Sequence, residues 1–193
     1  MNSNRALRAA SVMAGLGIAL ATAPASAQAE PVTPIPRLEV ERYLGDWRQL
    51  AAIPQPFNLV CARDTRANYS LTPNGDIAVR NSCTTWWGGG NEIAGVARVT
   101  DPATQAQLAV SFRDESDPRT NYVVTAIDPD YSWALVVNPE RTAGFVLARA
   151  AALSAGQWTD VRAAIAAAGV DSCLFLTSPT TGGAAEIAPL CTR

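Results

Sequence analysis

The chain has no histidine and no lysine. Without His the commonest general base, the usual activator of a nucleophile and the commonest transition-metal ligand are missing together. A Ser-His-Asp hydrolase is excluded, and no Gly-x-Ser-x-Gly elbow occurs. Every basic residue is Arg, with no basic run and no basic-aromatic cluster, so no nucleic-acid partner is expected. No Cys-x-x-Cys pair points to a redox or zinc site. Neither a metal nor a cofactor is expected. No apolar run reaches the ~20 residues of a helical membrane span.

What is present begins with an export pattern. Arg5 and Arg8 form a positive start, Ala9 to Ala21 is apolar and uncharged, and Ala25-Ser26-Ala27 and Ala27-Gln28-Ala29 each fit a small-x-small cleavage site. Residues 1–29 are therefore expected to be a secretory signal peptide, removed in a secreted extracellular or periplasmic product. No Cys follows the apolar stretch, so a lipid-modified N-terminal Cys is not expected. The product is expected to be a soluble monomer, with no integral membrane segment and at most peripheral contact with lipid. Without Arg5 and Arg8, 13 Arg face 17 acidic residues, a net charge of −4. The remainder suits one domain with one core, placed at 30–177. Residues 178–193, rich in Gly, Thr and Ala, read as a flexible tail tethered by Cys191. The four cysteines, Cys61, Cys83, Cys173 and Cys191, read as two disulfides in an exported chain, with three connectivities open.

Short strands with turn signals fill most of the domain. Gly45–Ile53 is stopped by Pro54 and Pro56. Arg66–Leu71 and Asp76–Ser82 flank Thr72-Pro73-Asn74-Gly75, a strong hairpin signal. Glu92–Thr100, Gln107–Phe112, Asn121–Ile127, Trp133–Val137 and Gly144–Ala148 complete eight strands in meander order, and closing such a series removes its exposed edges. One helix follows. Ser154 and Gln157 form a capping box, Trp158, Val161, Ile165 and Ala168 share a face, and Gly169 ends it. Leu174–Thr177 is a last short strand. The fold expected is all-β: an eight-stranded antiparallel up-and-down barrel with one C-terminal helix packed outside.

Three motifs sharpen this. Gly45-Asp46-Trp47 opens the first strand, Asp128-Pro129-Asp130-Tyr131 precedes the seventh, and Phe145-Val146-Leu147-Ala148-Arg149 ends the eighth. In this order they resemble the three signatures of the lipocalins, with Ile127 in place of the usual Thr in the second. Within that family the chain is similar to bacterial lipocalins and to apolipoprotein D, whose Ala-Asn-Tyr-Ser-Leu strand recurs at Ala67–Leu71. The resemblance runs from about Val40 to Thr177. It implies structural roles for Gly45, Trp47, Asp128, Tyr131 and Arg149, with Trp47 plugging the closed end and Arg149 across its ring. It also implies that Cys191 joins Cys61, as in apolipoprotein D, or Cys83, as in many other lipocalins, leaving Cys173 the remaining partner.

The function implied is binding and carriage of a small apolar ligand such as a fatty acid, a lysophospholipid or another lipophile. Tyr69, Asn81, Phe112 and Phe145 are placed in the cup by the resemblance. Alternation adds Ile77, Val79, Leu108, Val110, Tyr122, Val124, Leu135, Val137 and Leu147. Apolar walls with a few polar groups make a usual ligand pocket, although the same residues would also fill a core. Trp86 and Trp87, beside Gly88-Gly89-Gly90, read either as a mobile lid with one ring in the cup and the other meeting solvent or lipid, or as a mouth-loop pair packing on neighbouring strands. Arg113 reads either as a residue that reaches a ligand head group at a barrel end or as a solvated one, and Asp114, Glu115 and Asp117 read as a solvated turn rather than a calcium site. One alternative is an interaction module that uses the mouth loops. Another is a lipocalin-type isomerase with Cys83 as nucleophile, which requires a free thiol.

Overall fold

The computed structural model describes residues 30–112 and 118–192. The expected signal peptide at 1–29 and the 113–117 stretch, with Arg113 and its acidic neighbours, lie outside the described residues. Nine strands are described: β1 Gly45–Ala52, β2 Cys61–Leu71, β3 Ile77–Thr85, β4 Gly90–Val99, β5 Gln107–Ser111, β6 Tyr122–Ile127, β7 Trp133–Val137, β8 Gly144–Ala148 and β9 Leu176–Thr177. A single helical turn, α1 (Val40–Tyr43), precedes β1, and α2 (Ala155–Ala167) follows β8.

Strands β1 to β8 form an antiparallel meander that closes when β1 pairs with both β8 and β2. The lower half of β1 pairs with β2 from Gly45↔Tyr69 to Arg48↔Arg66. Near its top, β1 instead pairs with β9, through Ala51↔Thr177 and Ala52↔Leu176. The last short strand thus continues the barrel wall where β2 has turned away. The tight turn between β2 and β3 forms as its Pro-Asn-Gly chemistry demands, with the Thr72 N–H donating to the Asp76 carbonyl at 2.8 Å.

Gly45 takes φ +89°, a conformation that L side chains avoid, and a Cβ there would stand 3.5 Å from the Arg149 guanidinium. Glycine is therefore needed for the turn from α1 into β1, while a Cβ there would make only ordinary contact with Arg149. The chain ahead of α1 crosses the closed end. Ile35 donates to the Val124 carbonyl at 2.9 Å and Leu38 to the Thr104 carbonyl at 2.7 Å, and Leu38 is fully buried.

Two hydrophobic clusters result. The inner one includes Leu38, Tyr43, Trp47, Tyr69, Ile77, Val79, Ala97, Leu108, Tyr122, Val124, Val136 and Leu147. The outer one lies between the wall and α2, where Val161, Ile165 and Ala168 join Val123, Leu135, Val137, Val146 and Phe175. The α2 cap forms as expected, with Ser154 Oγ accepting from the Gln157 N–H and the Gln157 side chain from the Ser154 N–H.

The disulfides differ from both expected patterns. Cys61 bonds Cys83 and Cys173 bonds Cys191, so Cys191 reaches neither Cys61 nor Cys83. The reason is local pairing. Cys61 begins β2 opposite Thr85, two residues from Cys83 on β3, and the Cα atoms of the bonded pair are 5.6 Å apart. After β9 the chain folds back on itself: Thr177 donates to the Ala188 carbonyl at 2.9 Å and Leu190 to the Phe175 carbonyl at 2.8 Å. That return carries Cys191 to Cys173, with Cα atoms 4.8 Å apart.

Of the segment from Ser178 to Thr192, Thr180 and Leu190 are buried and most other residues are exposed. Leu190 is buried in the outer cluster. Asp64 binds the tail, accepting from the Thr181 N–H at 2.8 Å and its hydroxyl at 2.9 Å. Partial burial works against the Asp64 charge. The two Thr181 bonds, with Arg63 and Arg66 nearby, outweigh it and hold the carboxyl below its ordinary range.

Candidate ligand cavity and barrel mouth

The floor of the barrel is aromatic. The Trp47 indole is fully buried and donates to the Tyr43 carbonyl at 2.7 Å. Below it the Arg149 guanidinium sits 3.8 Å from the ring centroid and donates to the carbonyls of Arg42, Leu44 and Asp46 at 2.7–2.8 Å. The cation thus ties the end of β8 to the entry of β1 through ring and backbone together. Asp128 organises the turn between β6 and β7, where its carboxylate accepts from Ser132 Oγ at 2.8 Å and from the Asp130 N–H at 3.1 Å. Tyr131, at φ +58°, is buried and accepts from the Glu39 N–H at 3.0 Å, with Arg42 lying 4.0 Å from its ring centroid.

Above Trp47 three tyrosines meet. Tyr43 Oη lies 2.6 Å and Tyr69 Oη 3.0 Å from Tyr122 Oη. Burial pushes all three hydroxyls up: Tyr69 to about 12, and Tyr43 and Tyr122 well above the ordinary value, where mutual repulsion of their anions adds to it. They are neutral hydrogen-bonding groups near neutral pH. Tyr43, on α1, was missed as an inward group by strand alternation because it does not lie on a strand.

Burial falls off toward the other end. Val110, Phe112 and Phe145 pack on the inner cluster but are only partly buried. Asn81 is half-buried, and its Oδ1, itself buried, accepts no hydrogen bond. Ile93, opposite Asn81 on β4, is 46 % exposed. A side chain at Gly95 would overlap the Ser111 carbonyl and meet the Phe112 ring, so glycine lets the Phe112 ring approach this wall. Among the described residues no charged side chain is buried; the buried polar residues are Gln49, Thr85, Thr177 and Thr180. A separate concavity of about 510 Å³ opens on the outer face of β1–β4, but Asp46, Arg66 and Arg80 stand in its walls, which does not suit an apolar guest.

Of the residues expected in the cup, Tyr69, Ile77, Val79, Leu108, Tyr122, Val124 and Leu147 lie in the inner cluster. Val137 and Leu135 do not. On β7, Val136 faces Phe145 and Val137 faces Gly144, so Val136 shares the inner face and Val137 packs outward beneath α2. All five β7 residues are buried, one face by the barrel and the other by the helix, so no polar alternation marks the inner side. Trp86 and Trp87 depart from the lid reading. They are 61 % and 76 % exposed in the turn after β3, and neither ring enters the cup. The Trp86 indole instead donates to the Leu59 carbonyl at 2.8 Å. Cys83, the nucleophile required by the isomerase alternative, is held in a disulfide.

The sequence model of the lipocalin-like domain matches residues 38–180. The chain belongs to the lipocalin family. This lipocalin is 40 % identical over 121 residues to temperature-induced lipocalin-1 of Arabidopsis thaliana, covering 59 % of this chain and 64 % of the plant protein. It is 32 % identical over 127 residues to the outer membrane lipoprotein Blc of Escherichia coli (strain K12), covering 64 % and 68 %. Apolipoprotein D of Rattus norvegicus is 33 % identical over 99 residues, covering 51 % and 50 %. The matched region thus spans between half and about two thirds of these relatives. Insecticyanin from the tobacco hornworm Manduca sexta superimposes with a TM-score of 0.59 at 17 % identity, over 82 % of this chain and 93 % of its own. Lobster apocrustacyanin A1 gives 0.57 at 17 %, over 72 % and 78 %. At that identity the two structures establish the barrel alone.

Proposed function

We propose that this lipocalin is exported and carries one small lipophile, a fatty acid, lysophospholipid or similar molecule, without performing chemistry on it. The observation that carries the reading is the Asn81 amide. Its buried, unpaired Oδ1 stands on an inner wall that is otherwise apolar, between a closed aromatic floor and a partly exposed rim. A buried polar atom left without a partner is costly, and a donor on a bound guest would satisfy it. Tyr69, Val79, Val110, Phe112, Tyr122, Val124 and Phe145 supply the surrounding contacts, and Val136 takes the place expected of Val137. With no buried cation among the described residues, recognition rests on apolar burial and neutral hydrogen bonds rather than on a charged anchor.

Carriage without chemistry is supported by the groups at hand. The four cysteines are paired, the three inner tyrosines stay protonated, and the chain has no His. Export is supported by the N-terminal pattern and by the two disulfides. The test is native mass spectrometry with lipid extraction on protein purified from its own exporting host. The expected result is a monomer starting at or near Glu30 with about one lipophile per chain. An empty protein whose tryptophan emission does not respond to a panel of fatty acids and lysolipids would overturn the reading.

A further inference from the structure

Five large apolar side chains stand exposed together at the open end of the barrel. Phe57, Leu59 and Val60 lie in the 3-10 turn between β1 and β2, and Trp86 and Trp87 in the turn between β3 and β4. Leu59 is 74 % exposed and Phe57 58 %. The two turns are bound to each other by the Trp86–Leu59 hydrogen bond, and Cys61–Cys83 staples the strands just beneath them. These links hold the rings outward. Neither Pro54–Ala62 nor Asn81–Asn91 contains a charged residue.

We propose that this tip is a docking surface for the interface of a zwitterionic lipid bilayer, set so that the mouth of the barrel opens against the lipid. An exposed apolar patch of this kind marks an interaction site. Its size argues against a stable protein partner or a second copy, which would need about 20–30 residues a side with a polar rim. Its lack of cations, on a chain of net negative charge, argues against an anionic surface. What fits two uncharged turns carrying indole and aliphatic groups is the headgroup region of a neutral bilayer, where Trp is at home and each buried side chain adds to binding separately. Docking goes beyond the carrier reading and is measurable without a ligand.

The experiment is co-sedimentation of the exported protein with phosphatidylcholine vesicles, with tryptophan quenching by brominated lipid chains as a second readout. Binding is expected to be insensitive to salt. The pair Trp86→Ser and Trp87→Ser is expected to lower partitioning by roughly tenfold or more. Phe57→Ser with Leu59→Ser, which keeps both indoles, should weaken it similarly. Leu71→Ser, an exposed site at the opposite end of β2, should leave it unchanged. Near-ultraviolet circular dichroism confirms that each variant is folded. No binding to phosphatidylcholine, binding only to anionic vesicles and reversed by salt, wild-type binding by both double variants, or loss of a dimer in place of vesicle binding would each overturn the proposal. Failure of the carrier reading shows separately, as absent ligand uptake in vesicle-free buffer.

Discussion

Val136 on β7 stands directly across from Phe145 on β8, and that pairing decides which side of β7 faces the barrel interior. Val136 belongs to the inner cluster, while Val137, opposite Gly144, lies under α2. The two neighbours should therefore respond oppositely to substitution. Val136→Phe enlarges an inner side chain and is expected to reduce lipophile uptake, with a stability loss of about 1–3 kcal/mol. Val137→Ala is expected to cost about 1–3 kcal/mol and leave uptake unchanged. Ligand titration alongside urea denaturation separates them, and equal loss of uptake in both would reject this assignment of faces.

The tyrosine trio makes stability depend on high pH. Its folded-state pKa values lie above the ordinary 10, with Tyr69 at about 12. Above pH 10 the unfolded chain releases these protons while the folded one retains them, so the unfolded state binds fewer protons and stability falls as pH rises. The contribution is complete below pH 10 and is lost as pH climbs through about 12. For Tyr69 alone two units correspond to about 3 kcal/mol. Denaturation midpoints should be flat from neutral pH to 10 and drop beyond it, and Tyr69→Phe should soften the drop. An unchanged alkaline profile in that variant would exclude Tyr69 as a source.

Arg149 serves a ring and three carbonyls at once. Arg149→Ala is expected to destabilise by roughly 2–4 kcal/mol, through loss of the cation–π contact and of bonds from a charged donor. Arg149→Lys should restore only part of this, because a single ammonium cannot reproduce the planar fork. Full recovery in the Lys variant, measured by urea denaturation, would show that charge alone matters.

The disulfide pattern is open to peptide mapping. Trypsin cleaves this Lys-free chain only at Arg. Without reduction, Gln49–Arg63 should remain linked to Asn81–Arg98, and Ala163–Arg193 should be lighter by two hydrogens through its internal bridge. Either connectivity that joins Cys191 to Cys61 or Cys83 would instead link all three peptides. Replacing Cys173 and Cys191 together by Ser is expected to cost about 3 kcal/mol.

Much of the barrel was legible in the sequence because its signals are local. The Thr72–Gly75 turn, the Ser154–Gln157 capping box, the face formed by Val161, Ile165 and Ala168, and the turn held by Asp128 depend on residues a few positions apart. Gly45, Trp47 and Arg149 were legible as a motif, although the bonds that unite them span more than 100 residues. Alternation also placed Ile77 and Val79 correctly on the inner face, since Arg80 and Ser82 give their strand enough polar contrast to reveal a period of two.

The sequence by itself determined the strand meander, the helix and its buried face, the family and the apolar character of the inner face. Tertiary structure alone decided the inner face of β7, the exposure of Trp86 and Trp87, the return of the chain after β9 and the partners of the four cysteines. The physical reason is the same in each case. Trp-Ala-Leu-Val-Val is apolar throughout because barrel and helix bury opposite faces of β7. A tryptophan in a turn carries no mark of inside or outside. A cysteine's partner depends on which distant backbone segment is drawn alongside it, through pairing between strands or the return of a tail.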